Sequence, residues 1–351
     1  MDIKTVGIDL AKDVITVCAM DPHGKVVDSR NLRFAALAEW LVQLPTGCIV
    51  GMEACSSAHH WARRMLALGL QPRLMAAEFV KPFRKSRRTK NDHNDAEAIA
   101  IAVQQPTMRF VTIKSEAQQA RLAWHRLREG WKEERTALIN RIRGLLLEFG
   151  YPLPRGNSAL YLGLQVATQH QPLPLAFRRL LIRAQIQLKQ LDEQLAACDR
   201  TIAESVRQDE DSQRLQQVGG VGPLTADAVP ATVGKARDFK NGRQFAAWLG
   251  LTPIQFSSGG KTKLGRISRR GDSYLRTLLI QGAKSTLQGA RKRAPDRLSR
   301  LERWIINLYG RVGYHKTLVA IANKHARQLW AMLAKEERYN PDAWQQRQTA
   351  S

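Results

Sequence analysis

The sequence has no apolar run as long as the roughly 18 residues that a membrane span needs. Its four cysteines, Cys18, Cys48, Cys55 and Cys198, form no CxxC pair, and with the histidines they make no zinc spacing. That argues against a disulfide scaffold and for a reducing, cytosolic compartment. Cys55 is expected to be a small buried apolar residue. The opening MDIKTVGIDLAKD carries an acid at position 2 and then a strand-like pattern, which fits neither a signal nor a transit peptide. Acid is scarce as well: 31 Asp and Glu face 55 Lys and Arg, a formal charge of +24. A surplus of that size needs a polyanionic partner or costs self-repulsion. Nucleic acid is the first candidate, ahead of an anionic membrane surface.

The 351 residues exceed what one core usually supports, so two or three domains are expected. Residues 4–10 and 14–20 read as strands, joined by a turn at Pro22-His23-Gly24 to a third strand around 24–29. A helix follows at about 35–44. CIVGME (48–53) is a short apolar strand ending on a carboxylate, before a helix at 57–69 and a strand at 72–76. Three strands and then alternation predict a mixed α/β sheet, in an order that matches ribonuclease-H-like folds.

Residues 115–149 read as one long helix, with Trp124, Trp131, Leu138 and Leu145 seven apart and Pro152 and Pro154 ending it. A second runs from about 174 to 206. Leu181, Leu188, Leu195 and Ile202 share one heptad position, and Ala184, Leu191 and Cys198 the other. This is a coiled-coil pattern. An antiparallel hairpin within one chain and a dimerisation arm both satisfy it. After residue 210 the chain turns rich in Gly and basic residues, with short helices expected, and ends near 338 in a polar tail.

Four carboxylates stand out. Asp9 ends the first strand in GIDLAKD, and Glu53 ends the fourth in GMEA. Asp92 and Asp95, in KNDHNDAEAIA, open a helix three residues apart and so share a face. Strand ends gather at one sheet edge, so all four can meet. Held together they repel, and divalent cations resolve the repulsion. Hard oxygen ligands select Mg²⁺ or Mn²⁺, and two such ions serve phosphodiester chemistry. Singly, each acid also has an ordinary use as a turn residue, an N-cap or a first-turn acid. His93 is read as exposed or supporting. An actin-like ATPase also begins with a strand and GxD, but Leu10 and Ala11 follow Asp9 here, where a phosphate needs a small flexible residue.

KPFRKSRRTK (81–90) has six basic residues and no acid. It is a solvated loop or a phosphate-contacting one that uses Arg84, Lys85, Arg87, Arg88 and Lys90. LQQVGGVGPLTADAV (215–229) resembles a helix–hairpin–helix module, in which Gly220 and Gly222 expose backbone N–H groups to a phosphate. A plain turn using Gly219, Gly220 and Gly222 is the alternative. Residues 241–250 read as an amphipathic helix on Phe245, Ala246, Trp248 and Leu249, broken by Pro253. Ser257-Ser258-Gly259-Gly260 follows, flanked by Lys261, Lys263, Arg266, Arg269 and Arg270. A serine there can bind phosphate or act as a nucleophile. With no adjacent His base, the residues alone favour binding. RKRAPDRLSRLER (291–303) and residues 311–330 fit a basic helical surface, on which Lys292, Arg297 and Arg300 are candidate phosphate contacts.

With these motifs in order, the chain resembles the DEDD-type insertion-sequence transposases, the group that includes the bridge-RNA-guided recombinases, over essentially its whole length. GIDLAKD, GMEA and KNDHNDAEAIA match the family's Holliday-junction-resolvase-like (RuvC-like) domain. VGGVGPLTA, FAAWLGLTP, SSGG and GRISRRGDSYLR match its second domain. The resemblance implies that Asp9, Glu53, Asp92 and Asp95 are the metal-binding acids. It also implies that the serine before Gly is a nucleophile: Ser258, with Ser257 as the alternative. It further implies a composite site built by two subunits, a phosphoserine link to DNA, and a structured guide RNA.

The expected architecture is a ribonuclease-H-like catalytic domain over 1–114, a helical coiled-coil region over 115–210, a mostly α-helical transposase domain over 211–338 and a tail over 339–351. The expected function is excision and insertion of the element by a Mg²⁺-dependent homodimer, or a tetramer on DNA. The enzyme would be bacterial and cytoplasmic, at the nucleoid when active. A junction-resolving endonuclease using metal-activated water is the alternative, and a non-catalytic nucleic-acid-binding protein is a third reading.

Overall fold

The computed structural model describes residues 2–84, 92–169, 172–257 and 259–341. The chain divides into two compact units, 1–116 and 117–351.

The first unit is built on a six-stranded mixed sheet. Its strands are β1 (Thr5–Asp9), β2 (Val14–Met20), β3 (Val26–Arg33), β4 (Ile49–Glu53), β5 (Gln71–Met75) and the two-residue β6 (Phe110–Val111), in the order β3-β2-β1-β4-β5-β6. The first three strands are antiparallel neighbours, as their sequence order predicts. β4 runs parallel to β1 and β5 parallel to β4, while β6, which the sequence reading missed, pairs antiparallel with β5.

Alternation sorts the strand residues between two faces. Val6, Ile8, Ile15, Val17, Val50 and Met52 pack with α1 (Ala36–Val42) and α2 (Ala58–Ala67), around the buried Leu37, Trp40, Trp61 and Met65. After the short α3 (Ala77–Val80), α4 (Asp92–Ala102) covers the opposite face. Its residues Ala96 and Ala100 meet Cys18 and Met20 of β2, and Ala98, Ile99 and Ala102 pack with Met75 and Val80.

The second unit is helical. α5 (Glu116–Glu148) and α7 (Leu175–Gln208) are the two long helices foreseen. Between them lies α6 (Asn157–Gln169), for which the heptad pattern gave no sign. Leu138, Ile142 and Leu146 of α5, Leu160 and Leu164 of α6, and Leu181, Leu188 and Leu191 of α7 share one core, so part of the seam is filled within the chain.

The α5 stripe departs from the sequence reading: Leu146 is buried and Leu145 exposed, and Trp124 is also exposed. Leu138 on the same stripe is buried and Trp131 packs beside it, so the stripe holds in its middle and shifts at its ends, as a drift of about 20° per heptad against a strict seven-residue repeat produces.

Beyond α7 come α8 (Glu210–Leu215), α9 (Pro223–Val233), α10 (Gly242–Trp248), a hairpin of β7 (Pro253–Gln255) with β8 (Leu264–Ile267), α11 (Ser273–Lys292), α12 (Arg300–Val312) and α13 (Tyr314–Lys335). Short helices were expected here, but α11 and α13 run to 20 and 22 residues. Asn241, Asp272 and Ser299 cap α10, α11 and α12 through their side-chain oxygens, and Ser299 with Glu302 completes a capping box. Phe245, Ala246 and Leu249 of the foreseen amphipathic segment are buried in the core of this unit, with Trp248 partly buried against it. Among the described residues no helix is long and apolar enough to cross a membrane.

Candidate active site

Asp9 and Glu53 stand at the C-terminal ends of two adjacent parallel strands. Ile8 pairs with Met52, so the next residue of each strand, the carboxylate, emerges at the same level. Two residues before each acid lies a glycine, Gly7 or Gly51. Residues two apart in a strand share a face, so both glycines lie on the side covered by α4. A Cβ on Gly7 would lie 2.1 Å from the Ala96 carbonyl oxygen and 2.4 Å from the Ala100 nitrogen. One on Gly51 would lie 2.9 Å from Cβ of Val103. The glycines let α4 settle onto the sheet, and the small residues of AEAIAIA complete the fit. Close packing carries the first turn of α4, with Asp92 and Asp95, to the strand ends.

Carboxylate oxygens of Asp9, Asp92 and Asp95 lie within 4.8 Å of one another, a group that could hold a metal ion. Asp95 is buried, Asp9 half-buried and Asp92 exposed, so the cluster opens outward on one side. Glu53 joins through Arg84, whose guanidinium lies 3.4 Å from Glu53 Oε1 and 3.1 Å from Asp95 Oδ1. Burial, reinforced by the charges of Asp95, Glu53 and Asp92, pushes the Asp9 carboxyl up to about 6, with Arg84 pulling the other way. The geometry thus brings Asp9, Asp92 and Asp95 together, with Glu53 linked to them through Arg84, and the three aspartates suit a divalent cation by donor type and by spacing. His93 stands aside, with Nδ1 2.9 Å from Ser29 Oγ.

Cys55, expected to be buried, is exposed, because it lies two residues beyond the end of β4 and so outside the packed sheet. Its thiol is held above the usual range by partial burial and by the charges of Glu53 and Asp9. Of the predicted phosphate-contacting residues of the basic loop, Arg84 sits against the acids. Lys85, Arg87, Arg88 and Lys90 lie outside the described residues.

In the second unit, Ser258 also lies outside the described residues. Ser257 is exposed, and its Oγ accepts a 2.7 Å hydrogen bond from Gln255 Nε2. Gly259 and Gly260 take positive φ (55° and 76°) with open space around them. Lys261, Lys263, Arg266, Arg269 and Arg270 are all exposed on or beside the hairpin, which reads in sequence as a loop. At its base Gly271 is enforced: a Cβ there would lie 1.8 Å from the Trp248 carbonyl oxygen.

Gly220, read as a phosphate-facing glycine, lies against α11. A Cβ there would meet Thr286 Oγ1 at 2.2 Å and the Gly282 carbonyl oxygen at 2.6 Å. Gly222 is exposed as the N-cap of α9.

The sequence reading also missed a buried polar knot in this unit. Asp227 of α9 accepts hydrogen bonds from Arg121 Nη2 (2.8 Å) and Nε (3.0 Å) of α5 and from Ser205 Oγ (2.6 Å) of α7. His125 Nε2 lies 2.9 Å from Asp227 Oδ2, and its Nδ1 lies 2.9 Å from the Tyr274 hydroxyl of α11. Burial alone would raise the Asp227 carboxyl. The bonds from His125, Ser205 and Arg121 outweigh it and hold the group below the usual range. The only sequence signal was a lone acid among small apolar residues in TADAV.

Known families cover both units. The DEDD transposase model of the IS110 family matches residues 6–151, and the model described as Transposase IS116/IS110/IS902 family matches residues 212–298. A "Probable family 20 transposase" of Pseudomonas aeruginosa is 45% identical over 344 residues, spanning 97% of this chain and 100% of that protein. The transposase for insertion sequence element IS1111A of Coxiella burnetii is 40% identical over 340 residues, 96% of this chain and 92% of its own. The transposase for insertion sequence element IS1328 of Yersinia enterocolitica is 37% identical over 331 residues, 94% and 97%. The chain therefore belongs to the IS110 family of DEDD-type insertion-sequence transposases.

Proposed function

We propose that this transposase cuts and rejoins DNA with two groups: the four acids of a ribonuclease-H-like (RuvC-like) first unit, holding Mg²⁺ or Mn²⁺, and a serine of the SSGG segment. The observation that carries the reading is the convergence of Asp9, Asp92 and Asp95 within 4.8 Å at the strand ends, beside Glu53. Divalent ions bound there would supply Lewis acidity to a scissile phosphate and lower the pKa of an attacking oxygen. The carboxylates would hold the ions in place.

Ser258, or Ser257, gives up its hydroxyl proton and attacks phosphorus through Oγ. The expelled sugar oxygen takes up a proton and leaves as a hydroxyl, and a DNA end that attacks the phosphoserine link by the reverse of this step later frees the serine. The exposed cations from Lys261 to Arg270 suit the negative charge carried by the phosphoryl and leaving oxygens in such a step. In this reading the partners are the element ends, the target DNA and a structured guide RNA. The unit of action is a homodimer, or a tetramer on DNA, with the long helices offering a dimerisation arm.

Excision of a marked element in cells, with its native flanks, tests the reading. Asp9→Asn, Glu53→Gln, Asp92→Asn and Asp95→Asn should each abolish excision while the protein accumulates normally. Undiminished excision in Asp9→Asn and Asp95→Asn would overturn it. A junction-resolving nuclease using metal-activated water would need the acids and neither serine.

A further inference from the structure

From Arg303 to Lys335 the chain has no Asp or Glu, while Arg303, Arg311, Lys316, Lys324, Arg327 and Lys335 recur through it. This stretch forms most of α12 and all of α13, and its cations line connected clefts. One of about 530 Å³ is lined by Arg300, Arg303, Trp304 and Arg311, among others. A second of about 380 Å³ shares Trp304 with it and is lined by Lys316, Lys324 and Arg327. A third of about 610 Å³ continues from Lys324 and Arg327 past Arg243.

Among the described residues, no acid lines either cleft beside Trp304. The third holds Glu337, which lies 3.6 Å from Lys335. Arg300, Arg303, Arg311, Lys316 and Arg327 are exposed, and Lys324 is half-buried with Nζ 4.7 Å from the centre of the Trp304 ring. Burial, and then the charges of Arg327 and Arg300, lower the pKa of Lys324. Like charges gathered on one surface, as Arg303, Arg311, Lys316 and Arg327 are, repel one another, and a polyanion laid along the clefts would relieve that repulsion.

We propose that the α12–α13 face is a binding surface for the phosphodiester backbone of a nucleic acid, built from residues other than those of the SSGG hairpin and the acid cluster. From Lys316 to Arg327 α13 rises about 16 Å at ~1.5 Å per residue. At ~3.4 Å of axial rise per nucleotide that spans about five phosphates. Trp304 between the clefts gives the cationic stems an apolar surface to lie on. Backbone contact of this kind fixes position and carries no sequence information, so it complements a site that chooses where to cut. The identity of the polyanion rests on the transposase reading; the chemistry of the surface does not.

The test compares the full-length wild-type protein with two triple variants that lose the same charge. One is Arg311→Gln/Lys316→Gln/Arg327→Gln on this face, and the other is Arg179→Gln/Arg183→Gln/Lys189→Gln on exposed positions of α7. Binding to a labelled mixed-sequence DNA duplex and to a labelled folded RNA is measured across a salt series, with unfolding curves to show that each variant is folded. The face variant should lose roughly tenfold in affinity for at least one probe, with a shallower salt slope of about 0.9 per lost duplex phosphate contact. The α7 variant should lose far less. The probe that suffers more identifies the strand that lies there. Equal losses in the two variants would overturn the proposal and leave only net charge, with the transposase reading untouched. A wild-type protein that binds neither probe would overturn both.

Discussion

Gly7 of β1 and Ala96 of α4 are packed backbone to backbone: a Cβ on Gly7 would stand 2.1 Å from the Ala96 carbonyl oxygen. This approach places Asp95, one residue before Ala96, beside Asp9, two residues after Gly7. The acid cluster is thus set by a helix–sheet distance that only glycine permits.

Gly7→Ala should therefore push α4 off the sheet. Both contacts are main-chain atoms of a helix, which cannot step aside as a flexible side chain would. Overpacking of this kind costs about 1–3 kcal/mol or more. Urea denaturation should show that loss, and excision should fall with it. A Gly7→Ala protein as stable and as active as wild type would show that α4 is not held by this contact.

The Asp9 carboxyl, raised to about 6 against an ordinary 3.8, gives a pH signature in metal-free protein. A group whose folded pKa is raised contributes stability that is complete below its unfolded value and lost as pH rises through the folded one. The wild type in chelator should therefore lose stability between about pH 4 and 6. Asp9→Asn, neutral throughout, should not share that loss, and at pH 7 it should be the more stable protein by on the order of 1–3 kcal/mol. Unfolding curves at pH 4, 5, 6 and 7 decide this. A less stable Asp9→Asn at pH 7 would contradict it.

The knot around Asp227 predicts a different cost. Asp227→Ala removes the carboxylate that His125, Arg121 and Ser205 share. Arg121 keeps Asp209 and Ser212, but the buried His125 loses its carboxylate partner, and breaking such a buried pair typically costs about 3–5 kcal/mol. Because the knot joins α5, α7, α9 and α11, the second unit should lose cooperativity as well. A double-mutant cycle with Arg121→Ala should show coupling above about 0.5 kcal/mol. Additive effects would mean that the two residues act independently.

Much of this was legible in the sequence for identifiable reasons. The sheet could be read because residues 5–9 and 49–53 are short, mostly buried runs that end on Asp9 and Glu53. The acids could be read because Asp92 and Asp95 sit three apart at a helix start. The spacing of Gly7 and Gly51, each two residues before a carboxylate, was also in view and is the signal for α4 that went unused.

What stayed hidden depends on distant partners. Nothing local distinguishes His125 and Arg121 from solvated residues of a long helix until Asp227 arrives from a hundred residues away. The Gly-Ser composition at 257–260 masked a hairpin whose pairing brings Pro253 to Ile267. The heptad of α5 marked its contact at Trp131 and Leu138 and missed it at Trp124 and Leu145, since 3.6 residues per turn drifts against a strict repeat of seven.

The most direct measurement of the central claim is whether protein stays bound to DNA after cleavage. Cells carrying the enzyme with its native element and flanks are lysed under denaturing conditions, and the DNA is probed for attached protein. A covalent link is expected in wild type and in Ser257→Ala, and none in Ser258→Ala or Asp9→Asn. Cleaved DNA free of protein, unaffected by either serine change, would contradict it and leave a metal-dependent nuclease that uses water.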